Sequence, residues 1–336
     1  MSECGGAHAF DGIPFPGEVA GRKDTVELGH VASPQATALR AVFATVYTEC
    51  WIRMLARHRS CMSKLAVYLG IDVACAAGKR LPVCVVSAGD RLTPLAIPKD
   101  LAAQLPHGVG NREIAAARPF ADVAYGVAEA IKNIAQASGW QIRRIAIDAP
   151  AAPPETGLRS SEIELAHCRI PCFRTPARPA WASIVQKCKD HLGQGGSGAA
   201  LPSANRIWML FGFELFEHLR NALGTEVIEV YPFAIARALL PKPEHKSTEK
   251  GYRDQLAAMA ARTGWEPANL EAKLKAAVPG NRHDRLDAFM AAWVASLRPE
   301  ERRAYGDPRN LEDAIWVPSE AAAARKWTPP SAAEAS

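Results

Sequence analysis

Five carboxylates in this 336-residue chain stand where an acid is costly or conspicuous. Asp72 closes the apolar run Leu69-Gly70-Ile71, and Asp148 closes Ile145-Ala146-Ile147. Glu229 sits inside Val227-Ile228-Glu229-Val230. Asp284 and Asp287 lie three residues apart in HDRLDAFMAAW, which places both on one face of a helix. An ionised carboxylate in an apolar strand is expensive unless it is paired or bound to a metal. Acids at equivalent strand positions, joined by a helical D-x-x-D, therefore predict convergence on one point. Hard oxygen donors of this kind favour Mg2+ or Mn2+ over zinc. Asp72, Asp148 and Asp287 are the catalytic candidates, and Glu229 and Asp284 complete the candidate metal ligands.

Each acid also has a plainer explanation. Asp72 could be a structural acid, although nothing cationic stands beside it in the strand. Asp148 precedes Ala-Pro and could form an Asx-type turn. Glu229 could pair with Arg206 or Arg237. Asp284 falls in a helix's first turn, where the dipole alone favours an acid. Asp287, between Leu286 and Met290, could be a buried structural residue. The joint pattern is stronger than any single member.

The elements that must carry these acids read as an α/β sheet. LAVYLGIDV (65–73), LPVCVVSAG (81–89) and RLTPLAIP (91–98) predict a meander of paired strands, with Gly89-Asp90 at a tight hairpin. Residues 119–140 carry apolar side chains at helical spacing and stop at Ser-Gly; residues 142–150 form a buried strand ended by proline. An irregular Gly- and Pro-rich stretch precedes an apolar helix over 206–224 and a strand over 226–232. Helices follow near 233–240, 249–263, 267–277 and 283–297. The sum is a mixed five-stranded sheet flanked by helices, with a helical insertion before the last strand.

With 48% hydrophobic and 22% charged residues, the chain has the balance of a globular protein. A net charge of +5 permits nucleic-acid binding without demanding it, because Lys and Arg are scattered. No segment has the apolar length of a membrane span, and no secretory layout opens the chain, so a cytoplasmic protein is expected. Residues 1–61 lack strand–helix alternation and read as a disordered extension or an overlong start, with the domain over 62–318 and a fraying tail over 319–336. The eight cysteines read as reduced thiols. Among them Cys168, Cys172 and Cys188, with His191, have only loosely zinc-like spacing, and partly buried thiols explain them better.

This plan resembles the RNase H-like superfamily, whose members carry an acid on the first strand, another at the end of the fourth, and one or two on a late helix. HDRLDA (283–288) looks like the last-helix motif of bacterial Holliday-junction resolvases in that superfamily. A closer resemblance is to a bacterial and archaeal family of predicted RNase H-like nucleases, catalogued as domain of unknown function 429. It rests on LGIDVA, AIDAPAAPP, Arg159-Ser-Ser-Glu162, WMLFGFELF, VIEVYP, Lys246-x4-Gly251-x-Arg253, HDRLDAFMAAW and GDPRNLEDAIWVP, in that order across residues 65–318. The resemblance implies a metal-dependent nuclease acting on RNA or DNA. Two divalent ions about 4 Å apart would bridge the scissile phosphate. Asp72 would bridge them, Asp148 would complete one, and Asp287 with Asp284 would hold the other, while Glu229 would be a ligand or an orienting group. Arg159, Lys246 and Arg253 would contact phosphates, unless they lie in solvent or pair with Glu162 or Glu249.

Two other readings compete. A phosphotransferase of the sugar-kinase and actin group needs paired Gly-rich phosphate loops after strands. The run Gly193-Gln-Gly-Gly-Ser-Gly198 lies in the insertion instead and reads as a linker. A non-catalytic nucleic-acid or protein-binding module would keep the fold without binding metal at Asp72 and Asp148.

Overall fold

The apolar run ending in Asp72 forms an interior strand, and the sheet is built outward from it. The computed structural model describes residues 64–73, 76–110 and 120–327. The expected extension over 1–61, the domain start at Met62, the end of the tail, and Cys4, Cys50, Cys61 and Cys75 lie outside the described residues. In chain order come β1 (Leu65–Asp72), β2 (Val83–Ser87), β3 (Thr93–Leu95), α1 (Lys99–Ala102), α2 (Phe120–Ala137), β4 (Trp140–Asp148), α3 (Ser160–His167) and α4 (Arg178–Gly193). There follow α5 (Ala204–Leu223), β5 (Glu226–Val230), α6 (Pro232–Leu239), α7 (Glu249–Thr263), α8 (Pro267–Ala277) and α9 (Arg282–Ser296). The last elements are β6 (Arg302–Tyr305), β7 (Ile315–Pro318) and α10 (Glu320–Ala324).

The sheet has seven strands in the order β3-β2-β1-β4-β5-β7-β6. β1, β4, β5 and β7 run parallel to their neighbours in turn, while β2, β3 and β6 pair antiparallel at the two sides. The expectation of five strands is therefore corrected to seven. The added pair, β6 and β7, is only four residues per strand and carries RRAY and IWVP. Such short runs give too little alternation to stand out in sequence. β7 inserts beside β5, so β5 is not the last strand of the chain.

Side chains alternate across the sheet and so divide the core. On one face Leu69, Ile71, Ile145, Ile147 and Val227 pack with α2 and α5. On the other, Ala146, Ile228 and Val230 pack under α9 and the helices around it. Every residue of α9 from Leu286 to Ala295 is buried, as an Ala-rich helix enclosed on all sides must be. The Gly- and Pro-rich stretch expected to be irregular contains α3 and α4. Gly193–Gly198 ends α4, where Gly196 N donates to His191 O at 2.8 Å. Residues 320–324, expected to fray, form α10 with Ala322 and Ala323 buried. No helix among the described residues is long and apolar enough to cross a membrane.

Candidate metal centre

Parallel pairing of β1 with β4 sets Leu69 beside Ile145, Gly70 beside Ala146, Ile71 beside Ile147 and finally Asp72 beside Asp148. Because side chains alternate, both acids point to the Gly70 and Ala146 face, toward α9. Gly70 makes the third contribution possible. A Cβ there would lie 2.9 Å from Ala292 Cα and closer still to Ala288 O and Ala292 N. Only glycine lets the α9 backbone settle onto β1 this tightly. Asn281 caps α9, its Oδ1 accepting from His283 N at 2.9 Å and Asp284 N at 3.1 Å, which fixes the helix's first turn. Asp287, one turn further, is fully buried over the ends of the strands.

One carboxylate oxygen from each of Asp72, Asp148 and Asp287 lies within 4.8 Å of the others. Asp287 Oδ1 is buried without a hydrogen-bond partner. Three hard oxygen donors, one of them an orphaned buried oxygen, suit a small divalent cation. Burial first, opposed by Lys246 and reinforced by Asp284, raises the Asp72 carboxyl to about 7. Asp148 is raised well above the usual carboxylate range by burial, then by Asp72 and Glu229, against the pull of Lys246.

Lys246 pairs with Asp287 Oδ2. Its loop is held by the start of α7, where Thr248 Oγ1 accepts from Gly251 N at 2.9 Å. Gly251 is needed here, since a Cβ would meet Glu244 O at 2.9 Å and His245 O closer still. Gln255 Nε2 donates to Glu244 O at 2.8 Å and closes the loop. The Lys246-x4-Gly251 spacing thus delivers a cation to the triad. Arg253 does not join it: exposed on α7, it pairs with Glu249 at 2.7 Å.

Glu229 is placed elsewhere. Its register partner is Ile147, one residue short of Asp148, so it points to the opposite face of the sheet. There Arg159 grips both its oxygens, Nη1 to Oε1 at 2.8 Å and Nη2 to Oε2 at 2.5 Å, and Ala151 N donates to Oε2 at 2.8 Å. Burial pushes the Glu229 carboxyl up while Arg159 and Ala151 N pull it down. Burial likewise works to lower the Arg159 guanidinium, but Glu229, Glu162 and Asp313 hold it above its usual value. The forked geometry is that of an ion pair. Arg159, 2% exposed, is part of this buried network rather than of the surface. The Glu229 partner is thus Arg159, not Arg206 or Arg237. Asp284 lies outside the three-carboxylate group but near enough to raise Asp72.

Among the described residues no thiol joins a metal group. Cys168 is exposed, and buried Cys188 donates to Pro202 O at 3.1 Å while His191 Nε2 faces Ser197 O.

Residues 70–310 match the family model described as protein of unknown function (DUF429). The chain belongs to this family. The matched span takes in the whole triad, Lys246, and the Arg159–Glu229 pair. No curated protein and no solved structure matches the chain.

In this DUF429 protein a cavity of about 470 Å³ opens beside the triad. Asp148, Asp287 and Lys246 line one part of it, and the Arg159–Glu229 pair with Glu162 another. Phe173, Trp208, Tyr231 and Phe233 supply aromatic surface to the same cavity. The cavity leaves no mark in the sequence, because its walls come from stretches scattered between Asp148 and Ile315. Of the ion pairs the sequence offers, Arg159 meets Glu162 at 3.9 Å and Arg253 meets Glu249, whereas the pairing of Lys246 with Asp287 and the closer one of Arg159 with Glu229 have no sequence signal.

Proposed function

We propose that this protein is a divalent-metal-dependent phosphodiester hydrolase of RNase H-like fold, acting on nucleic acid. The observation that carries the reading is the register pairing of Asp72 with Asp148, with Asp287 closing the group from α9. The acids lie on the first strand, the end of the fourth and a late helix, the arrangement the superfamily resemblance implies. When bound, Mg2+ or Mn2+ held by Asp72, Asp148 and Asp287 would supply Lewis-acid chemistry and an acidified water.

The chain's own groups do the positioning. Gly70 and the Asn281 cap hold Asp287 against the two strand acids. Lys246 is the cation nearest the triad, and with phosphate in the site it would trade part of its pairing with Asp287 for a phosphate oxygen. The Arg159–Glu229 pair keeps the chain after β4 in place through Ala151 N, and so fixes the wall beside Asp148.

The test is incubation of purified protein with DNA, RNA and branched substrates in Mg2+ or Mn2+. Metal-dependent cleavage is expected, lost in Asp72→Asn. A variant as active as wild type would sink the proposal.

A further inference from the structure

The cavity beside the triad carries chemistry that hydrolysis alone does not require. Its aromatic side chains have already satisfied their polar atoms: Trp208 Nε1 donates to Asn205 O at 2.9 Å, and Tyr231 Oη donates to Pro171 O at 2.6 Å. What they offer a ligand is ring surface. The Tyr231 and Phe233 ring centroids are 6.3 Å apart and tilted by 56°. Phe173, 59% exposed, is a large apolar ring left in solvent at the same cavity.

Besides Asp287 at the triad, a second acid there keeps a buried oxygen without a hydrogen-bond partner. Glu162, 5% exposed, accepts from Thr175 N at 2.9 Å through Oε1 and has Arg159 Nη1 at 3.9 Å from that same oxygen, while its Oε2 has no hydrogen-bond partner. A buried carboxylate oxygen in this position calls for an N–H donor. In the same cavity Lys246, Asp148 and Asp287 supply the charge pattern for a phosphate with its cation.

Ring surface, a buried acceptor and a phosphate-handling end, within about 470 Å³, fit one nucleotide unit. Every base offers a π-face for stacking, and an unpaired base also offers the N–H groups of its pairing edge. A paired base offers neither, because its faces are stacked in the helix and its edge is occupied.

We propose that this cavity receives the base of an unpaired nucleotide whose phosphate lies at the triad, so that the substrate is single-stranded or locally unstacked nucleic acid. This deepens the hydrolase reading and rests on it for the placement of the phosphate.

The test uses a trinucleotide with 2-aminopurine at its centre, titrated by fluorescence against the full-length protein in Ca2+ and in EDTA. Parallel arms are the free 2-aminopurine nucleotide, a blunt duplex carrying the same base, and an abasic trinucleotide as competitor. Quenching by the single strand but not the duplex is expected, with the abasic competitor about tenfold weaker. Phe173→Ala, which removes an exposed ring and leaves folding intact, and Phe233→Ala should each weaken binding by about tenfold. Free nucleotide binding as tightly as the trinucleotide supports the same base site with a smaller ligand. An abasic trinucleotide that competes equally, or unchanged binding in both Phe variants, overturns the cavity proposal even if the protein cleaves phosphodiesters. Base-dependent binding without any metal-dependent cleavage would leave the cavity proposal standing and remove the hydrolase reading.

Discussion

Asp72 and Asp148 are register partners at the ends of two adjacent parallel strands, their side chains on the same face of the sheet. Neighbouring strands are about 4.8 Å apart, so two carboxylates set this way repel unless a proton or a cation lies between them. In the metal-free protein burial and neighbouring acids raise both carboxyls, against the pull of Lys246.

Stability should depend on pH through Asp72. Its carboxyl stays protonated in the fold up to about 7, whereas in the unfolded chain it ionises near 3.8. Between these values the folded state binds the extra proton, so this contribution is fully present at the acid end and is lost as pH rises toward 7. Thermal melts in EDTA should therefore show Asp72→Asn gaining on wild type steadily across that window. A difference that does not change with pH would count against the raised carboxyl.

Gly70→Ala should destabilise the protein by about 3 kcal/mol, the upper end of overpacking costs, because the new methyl meets the α9 backbone and not a yielding side chain. Urea denaturation measures this. The same substitution should weaken metal binding, since α9 carries Asp287. A neutral Gly70→Ala would mean that α9 does not approach β1 this closely.

The strands β1 to β5, the late helices and the three triad acids are legible in sequence because each leaves a local mark: an apolar run, a 3.6-residue period, an acid at a strand end. Register leaves none. Glu229 looked equivalent to Asp72 and Asp148 because all three interrupt apolar runs, yet pairing Ile147 with Glu229 sends its side chain to the other face. For Arg159 the sequence offers a phosphate or Glu162, three residues on; its closer partner Glu229 lies 70 residues away and leaves no local mark. β6 and β7 escaped notice for want of length, and β7 is placed by pairing with β5 rather than by its own sequence.

Arg159→Met should cost about 3–5 kcal/mol in denaturant titrations, because it strands the Glu229 charge in the core. Adding Glu229→Met should recover part of that loss, since two apolar side chains replace the closest pair while Ala151 N, Glu162 and Asp313 still lack their partners. Equal instability of the single and double variants would show that the pair is not the source.

Lys246→Met should act oppositely on the metal-free and metal-bound protein. Removing the cation beside Asp287 should lower metal-free stability by about 2 kcal/mol, less than for a fully buried pair because the Lys246 side chain is 31% exposed. The stabilisation gained on adding Mn2+ should be larger than in wild type, because the metal no longer competes with an ammonium. Calorimetric melts in EDTA and in Mn2+ decide this, and a smaller Mn2+ gain would contradict it.

Asp72, Asp148 and Asp287 should together hold a divalent cation. Isothermal titration calorimetry with Mn2+ near pH 6 tests it most directly, because binding must displace the protons these raised carboxyls carry. Wild type should bind with proton release, and the Asp72→Asn/Asp148→Asn double variant, with unchanged circular dichroism, should show no binding at this site. Binding by the double variant equal to wild type, or none by wild type, would contradict it.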